Sequence, residues 1–119
     1  MALRAFLGHQ PQLGARVYVD DSAQVIGATS LEDDVSIWPL VAIRGDVNRI
    51  HIGARSNIED NSVLHVTHDG RYTPGGSPLI VGADCTVGHG VILHACTVEE
   101  GCLIGMGAVV LDKAVIGKH

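Results

Sequence analysis

Residues 19–43 read VDDSAQ-VIGATS-LEDDVS-IWPLVA-I, and an aliphatic side chain opens each block of six: Val19, Val25, Leu31, Ile37 and Ile43. The beat resumes at Ile52, Ile58 and Leu64, then at Val81, Val87 and Leu93, and ends at Val98, Ile104, Val110 and Ile116. Three breaks interrupt it: three extra residues before Ile52, eleven before Val81, and one too few before Val98. A second track runs four positions behind the first, from Ala23, Thr29 and Val35 through Val47, Ser56, Cys85 and Thr97 to Cys102, Ala108 and Ala114. Its members are small or β-branched. Neither a helix (period 3.6) nor a half-buried strand (period 2) produces such a pattern. A six-residue repeat reads as an all-β parallel β-helix, each hexad one short strand and a corner. The aliphatic side chain fills the interior and the small one fits the bend. Three hexads make a coil, so about five coils are expected.

Composition agrees and excludes several classes. A chain of 119 residues with 46% hydrophobic and only 3% aromatic side chains makes one domain with an aliphatic core. Residues 1–16 read as a lead-in, 17–119 as coils, and 66–80 as a long loop. The 15 glycines serve corners, because no phosphate-binding glycine motif is present. A net charge of −5 disfavours nucleic acid and anionic membrane as partners. The longest apolar run is about half the ~20 residues that span a bilayer. Three cysteines without a C-x-x-C pair suggest a reducing, cytoplasmic setting. Cys85 and Cys102 fall on the small-residue track and are expected inside.

Seven histidines are the chemically loaded residues. Looping out the insertions puts Ile43, Leu64 and Leu93 on one face of the prism in successive coils. Arg44, His65 and His94, the residues just after them, then form an outward column with a spacing of roughly 4.7–4.9 Å. Pro39, Asp60 and His89 form a companion column on the preceding face. His65 and His94 suit convergence on one ion, whereas His89 reaches such an ion only from a neighbouring chain. In a threefold assembly of prisms, the neighbour's His89 completes a three-histidine set with a fourth position for water, the ligand count of a catalytic zinc. The alternative for these three is a set of interface hydrogen bonds. His9, His51 and His119 read as surface residues.

Three segments, Arg44-Gly45-Asp46-Val47-Asn48, Ile52 to His65, and Val87-Gly88-His89-Gly90-Val91-Ile92-Leu93-His94, make the chain resemble the γ-class carbonic anhydrase family of hexapeptide-repeat proteins. The resemblance implies a left-handed coil, a homotrimer and metal ligands His65, His89 and His94 between subunits. It implies that Arg44, Asp46 and Asp60 link subunits beside the metal and that Asn57 is a polar pocket residue. The implied reaction is reversible hydration of CO2 to bicarbonate by metal-bound hydroxide, with zinc as the ion; imidazole ligands also suit iron or cobalt.

Two departures from the family pattern bear on activity. Glu59 stands where relatives have glutamine; an ionised carboxylate only accepts hydrogen bonds, so it would raise the pKa of the reactive water or act as a general base. The 66–80 loop lacks the glutamate-rich segment used for proton export, leaving His68 as a candidate shuttle. Relatives continue into further coils and a C-terminal helix, missing here, so turnover is expected to be weak. The last coil is expected to stack end to end or fray after about Val110. The competing functions are a hexapeptide acyltransferase or thioester-metabolism protein, and a metal-bound structural module without turnover.

Overall fold

The computed structural model describes residues 3–119. Among these, fifteen short strands follow one another without a helix: β1 (Leu3–Arg4), β2 (Gln12–Leu13), β3 (Tyr18–Val19), β4 (Gln24–Leu31), β5 (Ser36–Ile37), β6 (Ala42–Ile52), β7 (Asn57–Ile58), β8 (Val63–His65), β9 (Leu79–Val81), β10 (Thr86–Val87), β11 (Ile92–His94), β12 (Thr97–Val98), β13 (Leu103–Ile104), β14 (Val109–Val110) and β15 (Val115–Ile116). Each pairs in parallel with the strand one coil away. On face one the register is Val19↔Ile37↔Ile58↔Val87↔Ile104. On face two it is Val25↔Ile43↔Leu64↔Leu93↔Val110. On face three it is Leu31↔Ile52↔Val81↔Val98↔Ile116. These are the three columns read from the hexads, and they wind into a left-handed parallel β-helix of about five turns.

The columns fill the prism. Val25, Ile37, Ile43, Ile52, Ile58, Leu64, Val81, Val87, Leu93 and Val98 are all fully buried. Burying one such side chain stabilises by about 1.5–3 kcal/mol. Most bends after faces one and three come from the third residue after the aliphatic. Asp34, Leu40, Arg55, Asn61 and Asp84 hold φ between 58° and 65°, a left-handed conformation that turns the chain onto the next face. Gly90, Gly101 and Gly107 occupy the same position in later turns. Between faces three and one, these corner residues stack as a ladder of alternating charge. Arg16 Nε lies 2.7 Å from Asp34 Oδ1, and Arg55 Nε lies 2.7 Å from Asp84 Oδ1.

Corners also strand backbone groups, which buried hydroxyls satisfy. Ser56 Oγ donates to the Gly82 carbonyl at 2.7 Å and accepts from the Cys85 amide at 3.0 Å. Ser62 does the same for Gly88 and Val91 at 2.9 and 3.1 Å. Cys85 and Cys102 are buried as expected. The small-residue track fails at two places, however. Val47 is 46% exposed and Thr97 is half-buried, while Ile50 and Cys96 fill the corner instead. Both failures sit at breaks in the beat: the extra residues push Val47 outward, and the missing one moves the corner back by a position. Ala95 turns there, with φ 49°. Burial pushes the Cys96 thiol up to about 11.

The insertions leave the ladder intact. Strands β4 and β6 pair through Gly27↔Gly45 and resume at Thr29↔Ile50, so residues 46–49 bulge outward. A Cβ at Gly27, where φ is 74°, would lie 2.4 Å from the Gly45 carbonyl oxygen, which explains glycine at this crossing. The longer insertion is closed at its neck by reciprocal Thr67–Ser77 backbone hydrogen bonds of 3.0 and 2.9 Å. Asn48 Nδ2 ties the bulge to this loop through the Thr67 and Gly75 carbonyls, both at 3.3 Å. In the lead-in, β1 and β2 pair with β4. At the other end, where either end-to-end stacking or fraying after about Val110 was expected, β15 keeps register with β12 and His119 N donates to Glu100 O at 3.1 Å.

Candidate metal centre

Strand register alone puts His65 directly beside His94 on face two. Their rings sit edge to face with centroids 5.2 Å apart, and His65 Nδ1 faces His94 Nε2 at 3.3 Å. The other nitrogen of each ring meets a carboxylate. Asp46 Oδ1 lies 2.9 Å from His65 Nε2, and Asp112 Oδ1 lies 2.7 Å from His94 Nδ1. An ionised carboxylate only accepts, so it selects the tautomer with hydrogen on the nitrogen it touches. The two facing nitrogens then both present lone pairs.

The carboxylates are suited to that role. Burial works against ionising Asp46, but the His65 hydrogen bond, the nearby Arg44 charge and the Val47 amide outweigh it and hold its pKa below the usual aspartate value. Asp112 is held low chiefly by the Thr67 hydroxyl, with His94 adding to it against desolvation. Arg44 Nη1 donates to Asp46 Oδ2 at 2.7 Å, closing a line from Arg44 through Asp46 and His65 to His94 and Asp112. Asp46 reaches His65 because the three-residue insertion lifts it out of the ladder.

His89 stands apart on face one, more than half exposed. Its Nδ1 lies 3.5 Å from Asp60 Oδ1 and 4.0 Å from Glu59 Oε2, and one donor atom from each of these three residues falls within 4.8 Å of the others. Glu59 Oε1 accepts from Asn57 Nδ2 at 2.7 Å. The Asn57 side-chain oxygen, Oδ1, accepts from Ser36 Oγ at 2.7 Å and from the Trp38 indole. Asn57, Glu59, Asp60 and His89 therefore form one group and His65 and His94 another. His68 joins neither; it is exposed and lines a groove with Asp46, Asn48, Arg49 and His9. Within the chain Arg44 pairs with Asp46, and Asp60 with His89.

Asp112, Thr67 and Trp38 belong to these groups but were not singled out in the sequence. Placing Val110 on face two puts Asp112 diagonal to His94, a signal the hexad map contains. The Thr67 contact depends on how the long loop folds, which no spacing reveals. The spacing of the two facing nitrogens fits a divalent ion. Two imidazole nitrogens bound tetrahedrally to one zinc at the usual lengths lie roughly 3.3–3.4 Å apart. The facing nitrogens already stand at 3.3 Å, with their ring partners on carboxylates as metal-bound histidines commonly have them.

No family model matches the chain. Protein YrdA of Escherichia coli K12 is 56% identical over 110 residues, covering 92% of this chain and 60% of that protein. Gamma carbonic anhydrase 1, mitochondrial, of Arabidopsis thaliana is 41% identical over 109 residues, covering 92% of this chain and 39% of that protein. The chain thus spans less than two thirds of either relative. A solved hexapeptide transferase family protein from Anaplasma phagocytophilum superposes with a TM-score of 0.79 at 27% identity, covering 98% of this chain and 75% of that one. No helix among the described residues is long and apolar enough to cross a membrane. By the hexad register, the His65–His94 column and these relatives taken together, the chain is similar to the γ-class carbonic anhydrases among the hexapeptide-repeat proteins.

Proposed function

We propose that this chain assembles as a homotrimer that holds zinc between subunits and catalyses the reversible hydration of CO2 to bicarbonate, acting as a carbonate dehydratase-type lyase in the cytoplasm. The observation that carries the reading is the pair of facing nitrogens, His65 Nδ1 and His94 Nε2, 3.3 Å apart with both outer nitrogens on carboxylates. His65 and His94 of one subunit hold the ion together with His89 from the next, because His89 sits on a different face of its own chain. Iron or cobalt suits the same imidazole set. When bound, such an ion brings the pKa of its water down toward 7.

The chain's own residues do the rest. Asp46 and Asp112 keep His65 and His94 in the ligand tautomer. Asp60 does the same for His89, leaving the imidazole Nε2 for the ion. Glu59, steered by Asn57, is the proton acceptor beside the reacting water, and its carboxylate takes a proton that a glutamine could not. His68 at the loop mouth passes protons on to solvent. Arg44 fastens Asp46 and contributes to the subunit boundary.

The test is metal analysis of the purified chain together with a stopped-flow CO2 hydration assay on it and on His65→Ala. Zinc near one ion per chain, with hydration lost in the variant, supports the reading. Acyl transfer from acetyl-CoA without CO2 hydration would place the chain with the acyltransferases. Bound metal with neither activity would make it an assembly module.

A further inference from the structure

We infer that Asp112 is a positioning residue for the metal centre, and that through Thr67 it ties the loop neck and the fifth turn to the orientation of His94. This rests on the reading of His65 and His94 as metal ligands. Each Asp112 oxygen has one partner: Oδ1 takes His94 Nδ1 at 2.7 Å, and Oδ2 takes the Thr67 hydroxyl. Thr67 is itself pinned, because its backbone pairs with Ser77 in both directions and its carbonyl accepts from Asn48 Nδ2. The carboxylate plane is thus fixed from the loop side, and the imidazole is fixed by the carboxylate.

His94 needs that support more than His65 does. Its side chain is 33% exposed, against 19% for His65, so fewer contacts hold the ring in place. A flipped ring would turn a C–H toward the His65 lone pair, and the opposite tautomer an N–H; either removes the two-nitrogen face. Asp46 serves His65 from the insertion after β6's first half, and Asp112 serves His94 from the turn after β14. The two carboxylates come from opposite ends of the column, so the centre depends on segments 66 residues apart in sequence having one register.

The experiment uses the full chain with cobalt(II) as the probe metal. Affinity is read by competition with a chromophoric chelator, and geometry by the visible d–d absorption. Asp112→Asn is expected to weaken cobalt binding roughly 10–100-fold and to shift the absorption band, as loss of an outer carboxylate does at histidine sites. Asp112→Glu should recover part of the affinity. Thr67→Val keeps the carboxylate and should lose only a small part. Unchanged affinity and spectrum in Asp112→Asn overturns the assignment while leaving the metal reading intact. Equal losses in Thr67→Val and Asp112→Asn would make Asp112 a loop fastener and also overturn it. Failure of the unaltered chain to bind cobalt at all overturns the metal reading itself.

Discussion

Asp60 Oδ1 lies 3.5 Å from His89 Nδ1 across one rung of face one, on a different face from His65 and His94. The imidazole therefore meets a carboxylate of its own chain through Nδ1, and its side chain is more than half exposed. In the proposed trimer, a ring so placed completes the histidine set from the neighbouring chain.

His89→Ala is expected to deplete bound metal as thoroughly as His65→Ala, although the two residues do not share a face. Metal content per chain, measured on size-separated oligomers, checks this. Full occupancy in a monomer would contradict a shared site.

Arg44→Ala should weaken assembly more than it weakens folding. Arg44 is about half exposed and its partner Asp46 is largely enclosed, so removing the guanidinium leaves a charge without its cover. If the pair is desolvated at a subunit boundary, the cost is about 3–5 kcal/mol. Analytical ultracentrifugation across dilution and salt should show earlier dissociation than in the unaltered chain. Equal resistance would assign Arg44 elsewhere.

Leu64→Ala removes a fully buried rung between Ile43 and Leu93 and should cost about 2–5 kcal/mol in denaturant unfolding. It also carries His65 as its next residue. Metal affinity should fall with stability here, whereas Ile37→Ala on face one should lower stability with a smaller effect on metal.

The charge ladder at the corner makes stability fall in acid. Hydrogen bonds from Arg16 and Arg55 hold Asp34 and Asp84 below the ordinary aspartate pKa. Their contribution is present above about 3.9 and is lost as pH drops through the lowered values. Both pairs are exposed, so the effect is modest and salt-sensitive. Urea midpoints between pH 7 and pH 3 should decline at the acid end, and Asp84→Asn should flatten part of that decline at low salt.

The hexads made the fold legible because each aliphatic side chain has one place to go. Val19, Ile37 and Ile58 stack as read, and so do Ile43, Leu64 and Leu93. The site was legible to the same depth: His65 beside His94 follows from register, and His89 on another face follows from the same map. Asp46 and Asp112 were less legible for different reasons. Asp46 was known only by resemblance, since its reach to His65 depends on an outward bulge. Asp112 needed the loop neck, whose path is set by Thr67, Ser77 and Asn48 hydrogen bonds rather than by period. Val47 and Thr97 misled because a periodic track stays true only until the count changes.

The bulge at residues 46–49 leaves the ladder after Gly45 and rejoins it at Ile50, so both its endpoints pair with the same neighbouring strand, β4. Such an excursion is topologically free: its length and contents can vary without rethreading a single coil. The carboxylate that meets His65 therefore belongs to a four-residue segment that can be exchanged while the register of the prism stays unaltered. Grafting bulges of other composition onto the Gly45–Ile50 junction would produce a series of centres differing in one outer carboxylate, built on one invariant scaffold.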